Sequence, residues 1–418
     1  MELFISNIKY LLQAGEDISC RKGKEMNHLP VLENAWLHVL DGIIRGYGTG
    51  ETRDSYMGSS VSDNTMYIDA TGKTVMPAFC DSHTHIVYAG SRELEFVDRL
   101  KGLSYEEIAA RGGGILNSSR KMQDITEEDL YEQSLDRAFE IISLGTGAVE
   151  IKSGYGLTTG SELKMLRVIR KIKENSRLTV KSTFLGAHAI PMEYRENPDE
   201  YVDIVINEMI PAVTAEDLAD YIDVFCDKGF FTPEQTERIL MAGIKHGLRP
   251  KIHANELGFT GGVQVGVKYD AASVDHLEYM DKDELESLQD SETIAGLLPG
   301  ASFFLNMPYA PAREIIDSGI PVALASDYNP GSAPSGNMQF IASLGCIQLK
   351  MLPAEVMNAV TINGACAMGV DDELGSISVG KKANLIITRH IPSWEFIPYA
   401  FGSNLVDMVV LNGLIQSV

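Results

Sequence analysis

The stretch Val75-Met76-Pro77-Ala78-Phe79-Cys80-Asp81-Ser82-His83-Thr84-His85 joins an apolar run to two histidines that stand one residue apart. The run ending at Phe79 predicts a buried strand with polar residues at its carboxyl end. In an extended chain the side chains of His83 and His85 point to the same side, and Thr84 faces away. Two such imidazoles can hold one divalent metal ion. Because two polar loop histidines give the same short pattern, the rest of the chain has to decide between the two interpretations.

Three later strand-like segments also end in residues that can bind metals or move protons. They end at His253, at His276 and at Asp327, and Glu256 follows three residues after His253. A single buried histidine is usually structural. The joint placement of four imidazoles and two carboxylates at strand ends favours a functional site.

The middle of the chain alternates strand-like and helix-like segments. Eight strands are predicted near 74–83, 148–152, 179–188, 221–225, 250–253, 273–276, 293–298 and 321–326. Helical patterns separate many of them, over 127–143, over 161–173 with Ser161 as N-cap, and after Thr232-Pro233. This alternation predicts an α/β fold, a (β/α)8 barrel of the TIM type, in which chemistry gathers at the carboxyl ends of the strands. No GxGxxG follows the first strand, so a dinucleotide fold has no support.

Both chain ends read instead as short strands and turns. The strand-like segments are 3–5, 35–40, 66–68, 384–388 and 408–413. Asp41-Gly42 between two apolar runs predicts a hairpin, and no useful helical period appears in residues 1–73. Each end alone has too little core to be stable. We therefore predict a small composite β-sandwich domain from 1–73 plus 375–418, and a barrel over 74–374.

Composition restricts the partners of the protein. The 418 residues carry a formal net charge of -23 at pH 7, which argues against nucleic acid or an anionic membrane surface. The five cysteines are scattered without a CxxC pair. Residues 1–10 lack a signal-peptide core, and no apolar run reaches membrane-spanning length. We expect a cytoplasmic protein that acts on a small molecule.

The chemistry of the residues assigns roles at the barrel rim. His83, His85 and His253 supply neutral nitrogen ligands, and Asp327 supplies an oxygen that partly neutralises a divalent charge. Such a metal lowers the pKa of bound water from about 16 toward roughly 7. Glu256 could hold a substrate nitrogen or shuttle a proton, and His276 could orient the nucleophile or stabilise an oxyanion. Which of Glu256, His276 and Asp327 takes the proton stays open. Lys228 precedes a glycine and reads as a loop lysine rather than a metal bridge, so we predict one metal.

Several longer motifs carry a resemblance to a known family. They are Asp81-Ser82-His83-Thr84-His85 with Tyr88-Ala89-Gly90-Ser91-Arg92, Glu150-Ile151-Lys152-Ser153-Gly154-Tyr155-Gly156-Leu157, Phe184-Leu185-Gly186-Ala187-His188, Ser326-Asp327-Tyr328-Asn329-Pro330-Gly331-Ser332 and Val379-Gly380-Lys381-Lys382-Ala383-Asn384-Leu385. Together they resemble the imidazolonepropionases of the amidohydrolase superfamily, from about residue 75 to the C-terminus.

This resemblance implies a reaction and a set of residues. The reaction is hydrolysis of the ring amide C–N bond of 4-imidazolone-5-propanoate to N-formimidoyl-L-glutamate in histidine degradation. One divalent or trivalent metal ion per subunit, zinc or iron, would be held by His83, His85, His253 and Asp327. The implied substrate contacts are Arg92, Tyr155, His188, Glu256, Asn329, Gly331 and Ser332, with His276 beside the reacting carbonyl. A homodimer is a further family expectation.

The residues themselves fit these roles. Arg92 could clamp the propionate carboxylate through a bidentate fork, although a surface salt bridge is the commoner role of such an arginine. His188 could donate a hydrogen bond to the imidazolone. The segment 329–332 could offer backbone N–H groups to a second carboxylate. Arg111-Gly112-Gly113-Gly114 suggests a mobile loop over the site.

Two alternatives remain at this stage. A cytosine- or guanine-type aminohydrolase shares the metal motifs, but the carboxylate-binding candidates favour an acidic ring over a neutral base. A metal-binding protein without catalysis would be expected to lack an acid–base group. Because Glu256, His276 and Asp327 are all present, we favour an enzyme.

Overall fold

The computed structural model describes residues 1–16, 18–62, 65–103, 107 and 113–416, and within them two sheets. The first is a mixed sheet to which both chain ends contribute. Its strands are β1 (Glu2–Leu12), β2 (Val31–Leu40), β3 (Ile43–Thr49), β4 (Met66–Asp69), β5 (Thr74–Pro77), β14 (Leu385–Thr388), β15 (Val406–Leu411) and β16 (Leu414–Ile415). They are arranged in the order β16-β15-β14-β5-β1-β2-β3, and β4 also pairs with β1. The predicted hairpin at Asp41-Gly42 is confirmed, and both residues have positive φ.

The second sheet is the predicted barrel of eight parallel strands. They are β6 (Phe79–Thr84), β7 (Thr146–Lys152), β8 (Thr179–Ala187), β9 (Tyr221–Cys226), β10 (Arg249–Ala254), β11 (Ser273–His276), β12 (Ile294–Leu297) and β13 (Val322–Leu324). Neighbouring strands pair in chain order. Hydrogen bonds connect the end of the last strand, β13, to the end of the first, β6. The main-chain N–H of Asp327 donates to the carbonyl of His83 at 3.0 Å, and the N–H of His85 donates to the carbonyl of Tyr328 at 2.9 Å.

Most helices of the described residues follow barrel strands and cover the outside of the barrel, but the first of them packs on the mixed sheet. The helices are α1 (Gly50–Ser60), α2 (Glu93–Leu100), α3 (Ile115–Asp124), α4 (Glu127–Ser143), α5 (Thr159–Asn175), α6 (Pro198–Ile204), α7 (Ile210–Ala215), α8 (Pro233–Lys245), α9 (Gly262–Lys268), α10 (Lys282–Gln289), α11 (Pro299–Leu305), α12 (Ala312–Asp317), α13 (Met338–Ile347), α14 (Pro353–Ala359), α15 (Ile362–Ala367) and α16 (Phe396–Tyr399). Short 3-10 turns lie at Gly23–Asn27 and Met192–Tyr194, and a π-helical turn at Val205–Met209 joins α6 to α7.

Helix starts follow capping chemistry. The predicted start at Thr232-Pro233 is confirmed, since Thr232 and Gln235 form a reciprocal capping box. The predicted N-cap Ser161 is wrong. The side chain of Thr158 accepts from the N–H of Ser161 and caps the helix, so α5 begins at Thr159. Ser161 lies inside the first turn.

Two further expectations are corrected by the structure. The strand predicted over 74–83 is two strands, because Ala78 donates to the carbonyl of Asn384 in the mixed sheet and Phe79 to that of Gly145 at the barrel. Residues 1–73 also contain a helix, α1, which lacks a periodic apolar face. Contacts between side chains hold it instead, with the ring centroids of Tyr56 and Trp36 4.3 Å apart.

Apolar side chains fill the space between the barrel and its helices, and a second core lies in the mixed sheet. The predicted face of α4 is confirmed in part, since Leu130, Ser134, Ala138 and Ile142 are buried and Leu135 is half-buried. None of the helices in the described part of the chain is long and apolar enough to cross a membrane.

Candidate active site

Three histidines meet at the carboxyl end of the barrel. His83 lies at the end of β6, His85 follows that strand, and His253 lies near the end of β10. One ring nitrogen of each lies within 4.8 Å of those of the other two. The Oδ1 atom of Asp327, just beyond β13, lies 3.6 Å from Nε2 of both His83 and His85. The structure therefore brings together the four residues predicted as metal ligands.

The chemistry of this cluster fits a metal ion. His83, His85 and His253 are each at most 2% exposed. Burial, reinforced by neighbouring positive charge, holds the pKa of His83 and of His85 well below the usual value, so both rings are neutral. Nδ1 of His253 faces Asp223 Oδ2 at 3.0 Å, whereas its Nε2 has no hydrogen-bond partner among the described residues. Buried polar atoms normally have a partner, and a cation between neutral imidazoles and a carboxylate would provide one.

The backbone turns sharply where the strands deliver these groups. Asn255, His276, Leu277 and Asp327 all have positive φ, between 54° and 85°. Side chains other than glycine adopt this region at a cost of order 1–3 kcal/mol, and such strain is concentrated at functional sites. The turns at the ends of β10, β11 and β13 redirect the chain so that His276 and Asp327 face the same rim.

Glu256 and His276 lie beside the histidine cluster. Nε2 of His276 lies 3.8 Å from Glu256 Oε2, and Nδ1 lies 3.7 Å from Glu278 Oε2, both longer than a hydrogen bond. Burial raises the pKa of Glu256 to about 7, against the lowering effect of His276. Burial alone would lower the pKa of His276, but the carboxylates of Glu256 and Glu278 outweigh it and raise that pKa well above its usual value. The shift favours the protonated form of His276, which donates hydrogen bonds.

A cavity of about 470 Å³ opens onto this rim. Eleven of the residues predicted from the sequence line it: His85, Arg92, Tyr155, His188, His253, Glu256, His276, Asp327, Asn329, Gly331 and Ser332. His83, the remaining predicted residue, does not line the cavity but belongs to the histidine cluster. The structure thus places every predicted site residue at one centre.

Arg92 is held at the cavity wall by a carboxylate of its own helix end. Its guanidinium contacts Glu95 Oε2 through Nε at 2.8 Å and through a terminal nitrogen at 2.7 Å. Glu95 also accepts from the N–H of Gly114 and the amide of Asn117. On the other side, a Cβ added at Gly331 would lie 2.1 Å from a nitrogen of Arg92. Arg92 is therefore fixed in place, with part of its charge already neutralised.

The segment 329–332, predicted to offer N–H groups to a carboxylate, pairs two of these groups within itself. The N–H groups of Gly331 and Ser332 donate to Oδ1 of Asn329, at 2.7 and 2.8 Å, so in this structure they are already paired. The Ser332 hydroxyl donates to Asp327 Oδ2 at 3.3 Å. The segment braces Asp327, and a substrate carboxylate would have to compete with Asn329 for its N–H groups.

A buried carboxylate holds the loop that carries Tyr155 in place. The buried carboxylate of Glu162 accepts N–H groups from Gly154, Gly156 and Leu157, at 3.1, 2.7 and 2.9 Å. The Tyr155 phenol is buried, which raises its pKa and keeps it protonated. The rings of His85 and His188 stack with their centroids 5.2 Å apart. These contacts give the cavity a rigid wall.

Sequence reasoning missed several residues of the cavity. The missed lining residues are Glu95, Arg99, Ile115, Phe225, Phe230, Leu257, Leu305 and Met307. The signal for Arg99 was present, because it lies seven residues after Arg92 and so on the same face of a helix. The apolar members carry no such local signal. Of the predicted loop 111–114, Arg111 and Gly112 lie outside the described residues.

An eight-stranded parallel barrel with a histidine and aspartate cluster at the carboxyl ends of its strands defines a class of metal-dependent hydrolases. Residues 74–415 match the model of the amidohydrolase family. The chain is 56% identical over 414 residues to an imidazolonepropionase of Christiangramia forsetii, covering 99% of both chains. It is 54% identical over 416 residues to that of Flavobacterium johnsoniae, covering 99% of this chain and 100% of the relative. The chain belongs to the amidohydrolase family, and within it to the imidazolonepropionases.

Solved structures of low sequence identity share the fold. A triazine hydrolase variant superposes with a TM-score of 0.76 at 16% identity, covering 99% of this chain and 94% of that one. Guanine deaminase of E. coli superposes with a TM-score of 0.75 at 13% identity, covering 100% and 99%. At this identity the likeness concerns the fold alone. The predicted fold class and family resemblance are both confirmed.

Proposed function

We propose that this protein hydrolyses the ring amide of 4-imidazolone-5-propanoate to N-formimidoyl-L-glutamate, a step of histidine degradation. The observation that carries the proposal is the 56% identity to a relative named imidazolonepropionase over 99% of both chains. The site supports it independently, because two guanidinium groups, Arg92 and Arg99, line the same cavity as the histidine cluster. A substrate carboxylate forms charge-assisted hydrogen bonds with such groups, whereas a neutral nucleobase carries no negative charge to pair with them.

His83, His85, His253 and Asp327 would hold one metal ion, for which we propose zinc or iron. Nitrogen ligands with one carboxylate suit both metals. When bound, the ion acts as a Lewis acid and lowers the pKa of a coordinated water. Neutral imidazoles are the form that binds metals, and burial of His83 and His85 supplies that form.

The side chains around the ion would move the protons. We assign the proton of the attacking water to Asp327, whose Oδ1 lies 3.6 Å from Nε2 of His83 and of His85. As the oxygen of water adds to the ring carbonyl carbon, the cationic His276 donates a hydrogen bond to the developing oxyanion. The ring C–N bond then breaks, and the nitrogen takes a proton from the protonated form of Glu256. The products are a carboxylic acid, which ionises by giving its proton to solvent, and an acyclic formimidoyl nitrogen. Transfer of a proton from Asp327 to Glu256, directly or through solvent, restores both groups.

Arg92 and Arg99 would bind the propionate carboxylate. Arg99 donates to the carbonyl of Gly331 at 3.2 Å and lies over the ring of Phe304 at 4.9 Å. It forms no ion pair with a carboxylate in the described part of the chain, unlike Arg92. Arg99 therefore retains charge for a substrate, and Arg92 adds a fixed donor beside it.

The experiment that tests this function is turnover of 4-imidazolone-5-propanoate by the purified protein, with metal analysis of the same sample. We expect loss of the imidazolone, appearance of N-formimidoyl-L-glutamate by mass spectrometry, and about one metal ion per chain. Cytosine and guanine serve as comparison substrates. Ammonia release from either base, without imidazolone turnover, would replace our proposal by the aminohydrolase alternative. A homodimer and a cytoplasmic location stay predictions.

A further inference from the structure

A network of buried charges lies beneath the histidine cluster and takes no part in the proposed reaction. It consists of Glu150 and Lys152 on β7, Asp223 on β9, Lys251 on β10 and Asp275 on β11. Each of these side chains is at most 3% exposed. Three carboxylates thus face two ammonium groups in the barrel interior. Buried ion networks contribute little net stability, so such a network calls for another explanation.

Lys152 is the centre of this network. Its Nζ lies 2.5 Å from Glu150 Oε1, 2.8 Å from Asp223 Oδ2 and 3.8 Å from Asp275 Oδ2. The three carboxylates come from three different strands. One ammonium group therefore fixes the relative positions of β7, β9 and β11 in the layer below the metal cluster.

The two aspartates in turn contact two of the predicted metal ligands. Nδ1 of His83 lies 2.7 Å from Asp275 Oδ2, at hydrogen-bonding distance. Nδ1 of His253 lies 3.0 Å from Asp223 Oδ2, and the main-chain N–H of His253 donates to Asp223 Oδ1 at 3.2 Å. A carboxylate on one ring nitrogen leaves the other nitrogen for a metal and fixes the direction of the ring.

We propose that Lys152 is a positioning residue for the metal site, acting through Asp223 and Asp275 to aim the rings of His253 and His83 at one ion. This inference rests on the metal-binding part of the proposed function, and not on the identity of the substrate. A single ammonium group shared by both aspartates couples the orientations of two ligands that lie on different strands.

The chain offers a matched control in Lys251. It is as deeply buried as Lys152 and pairs with the same Glu150, but its other contacts are the carbonyl oxygen of Ser82 at 3.2 Å and the ring of Tyr221, whose centroid lies 5.2 Å from Nζ. Lys251 forms no ion pair with either aspartate among the described residues. A purely structural role predicts that loss of either lysine changes zinc binding to a similar extent, whereas the positioning role predicts a larger change on loss of Lys152.

The experiment measures binding of Zn²⁺ to the metal-free Lys152→Met and Lys251→Met proteins by competition with a chromophoric chelator. We expect Lys152→Met to weaken zinc binding 10- to 100-fold, the range found when a partner of a metal ligand is lost. We expect Lys251→Met to change it less than threefold, while both variants lower the stability of the metal-free protein in urea. Equal zinc affinities for the two variants would overturn the proposal.

Either substitution removes one of the two cations that face three buried carboxylates and therefore threatens folding. A second comparison uses two double variants, Lys152→Met with Glu150→Gln and Lys251→Met with Glu150→Gln. Each double variant removes one charge of each sign. The same separation in zinc affinity is expected, and its absence refutes the positioning role. Because no substrate is present, failure of the imidazolone assay would leave this result intact.

Discussion

Nδ1 of His188 lies 3.0 Å from the main-chain carbonyl oxygen of Gly154. A carbonyl oxygen only accepts hydrogen bonds, so Nδ1 carries the proton and donates. Burial, with the nearby His253, lowers the pKa of His188 to about 3, and the ring is therefore neutral near pH 7 with Nε2 unprotonated. We therefore propose that His188 accepts a hydrogen bond from a ring N–H of the substrate. This direction is the reverse of the donor role expected from the sequence.

The tautomer of His188 leads to a prediction in solution. In ¹⁵N-labelled protein we expect the His188 ring signals to stay those of the neutral Nδ1–H form from pH 8 down to about 5. The folded pKa lies below the usual 6.5, so the contribution of His188 to stability is present above pH 6.5 and is lost as pH falls toward 3. A titration of His188 near 6.5, or an Nε2–H signal at pH 7, would contradict this assignment. The ring signals that disappear in His188→Gln identify the His188 resonances.

Glu256 gives a prediction in pH dependence. Burial raises its pKa to about 7, above the usual 4.5, so a large share of the group is protonated at neutral pH. If the protonated acid delivers the proton to the leaving nitrogen, kcat/KM falls as pH rises through that pKa. Glu256→Gln should retain metal near the wild-type level and lose roughly 10²- to 10⁴-fold in kcat. Metal analysis is the control: loss of metal in this variant would mean that Glu256 has a different role.

Much of the site was predictable because it depends on strand ends. Alternation of side chains places His83 and His85 on one side, and the barrel rule places His253, His276 and Asp327 at the same rim. These steps need only the period of each segment and its order in the chain. The structure agrees with that placement.

The layer beneath the rim was not predictable in the same way. From the sequence, Asp223 and Asp275 are polar residues within strands, and nothing local shows that they contact His253 and His83. Their contacts depend on register between neighbouring strands, which pairs His253 with Asp275 and Ile252 with Val224. A shift by one residue would turn every one of these side chains to the other face. The register of these strands depends on the whole barrel, and no short sequence motif predicts it.

Arg99 leads to a prediction about substrate binding. It lines the cavity and forms no ion pair with a carboxylate in the described ranges, so a substrate carboxylate is its expected partner. Hydrogen bonds to charged groups are worth about 1.5–3 kcal/mol, which corresponds to a 10- to 100-fold rise in KM for Arg99→Met with little change in kcat. Steady-state kinetics measure both constants.

Lys101→Met is the matched control for Arg99→Met. Lys101 follows directly after α2, and its side chain is 66% exposed. We expect its KM to equal that of the unaltered protein within twofold. An unchanged KM for Arg99→Met would leave carboxylate binding to Arg92 alone.

Gly331 gives the last prediction, because its missing side chain makes room for Arg92. A Cβ at this position would lie 2.1 Å from a guanidinium nitrogen of Arg92, which Glu95 holds from the other side. The backbone of Gly331 does not require positive φ, so alanine is tolerated by the main chain and the strain falls on Arg92. We expect Gly331→Ala to raise KM roughly tenfold and to leave the free energy of unfolding, measured in urea, within about 0.5 kcal/mol of that of the unaltered protein. Gly258→Ala, where an added Cβ meets nothing within 4 Å, is the control. Equal kinetics for the two variants would show that the position of Arg92 does not limit binding.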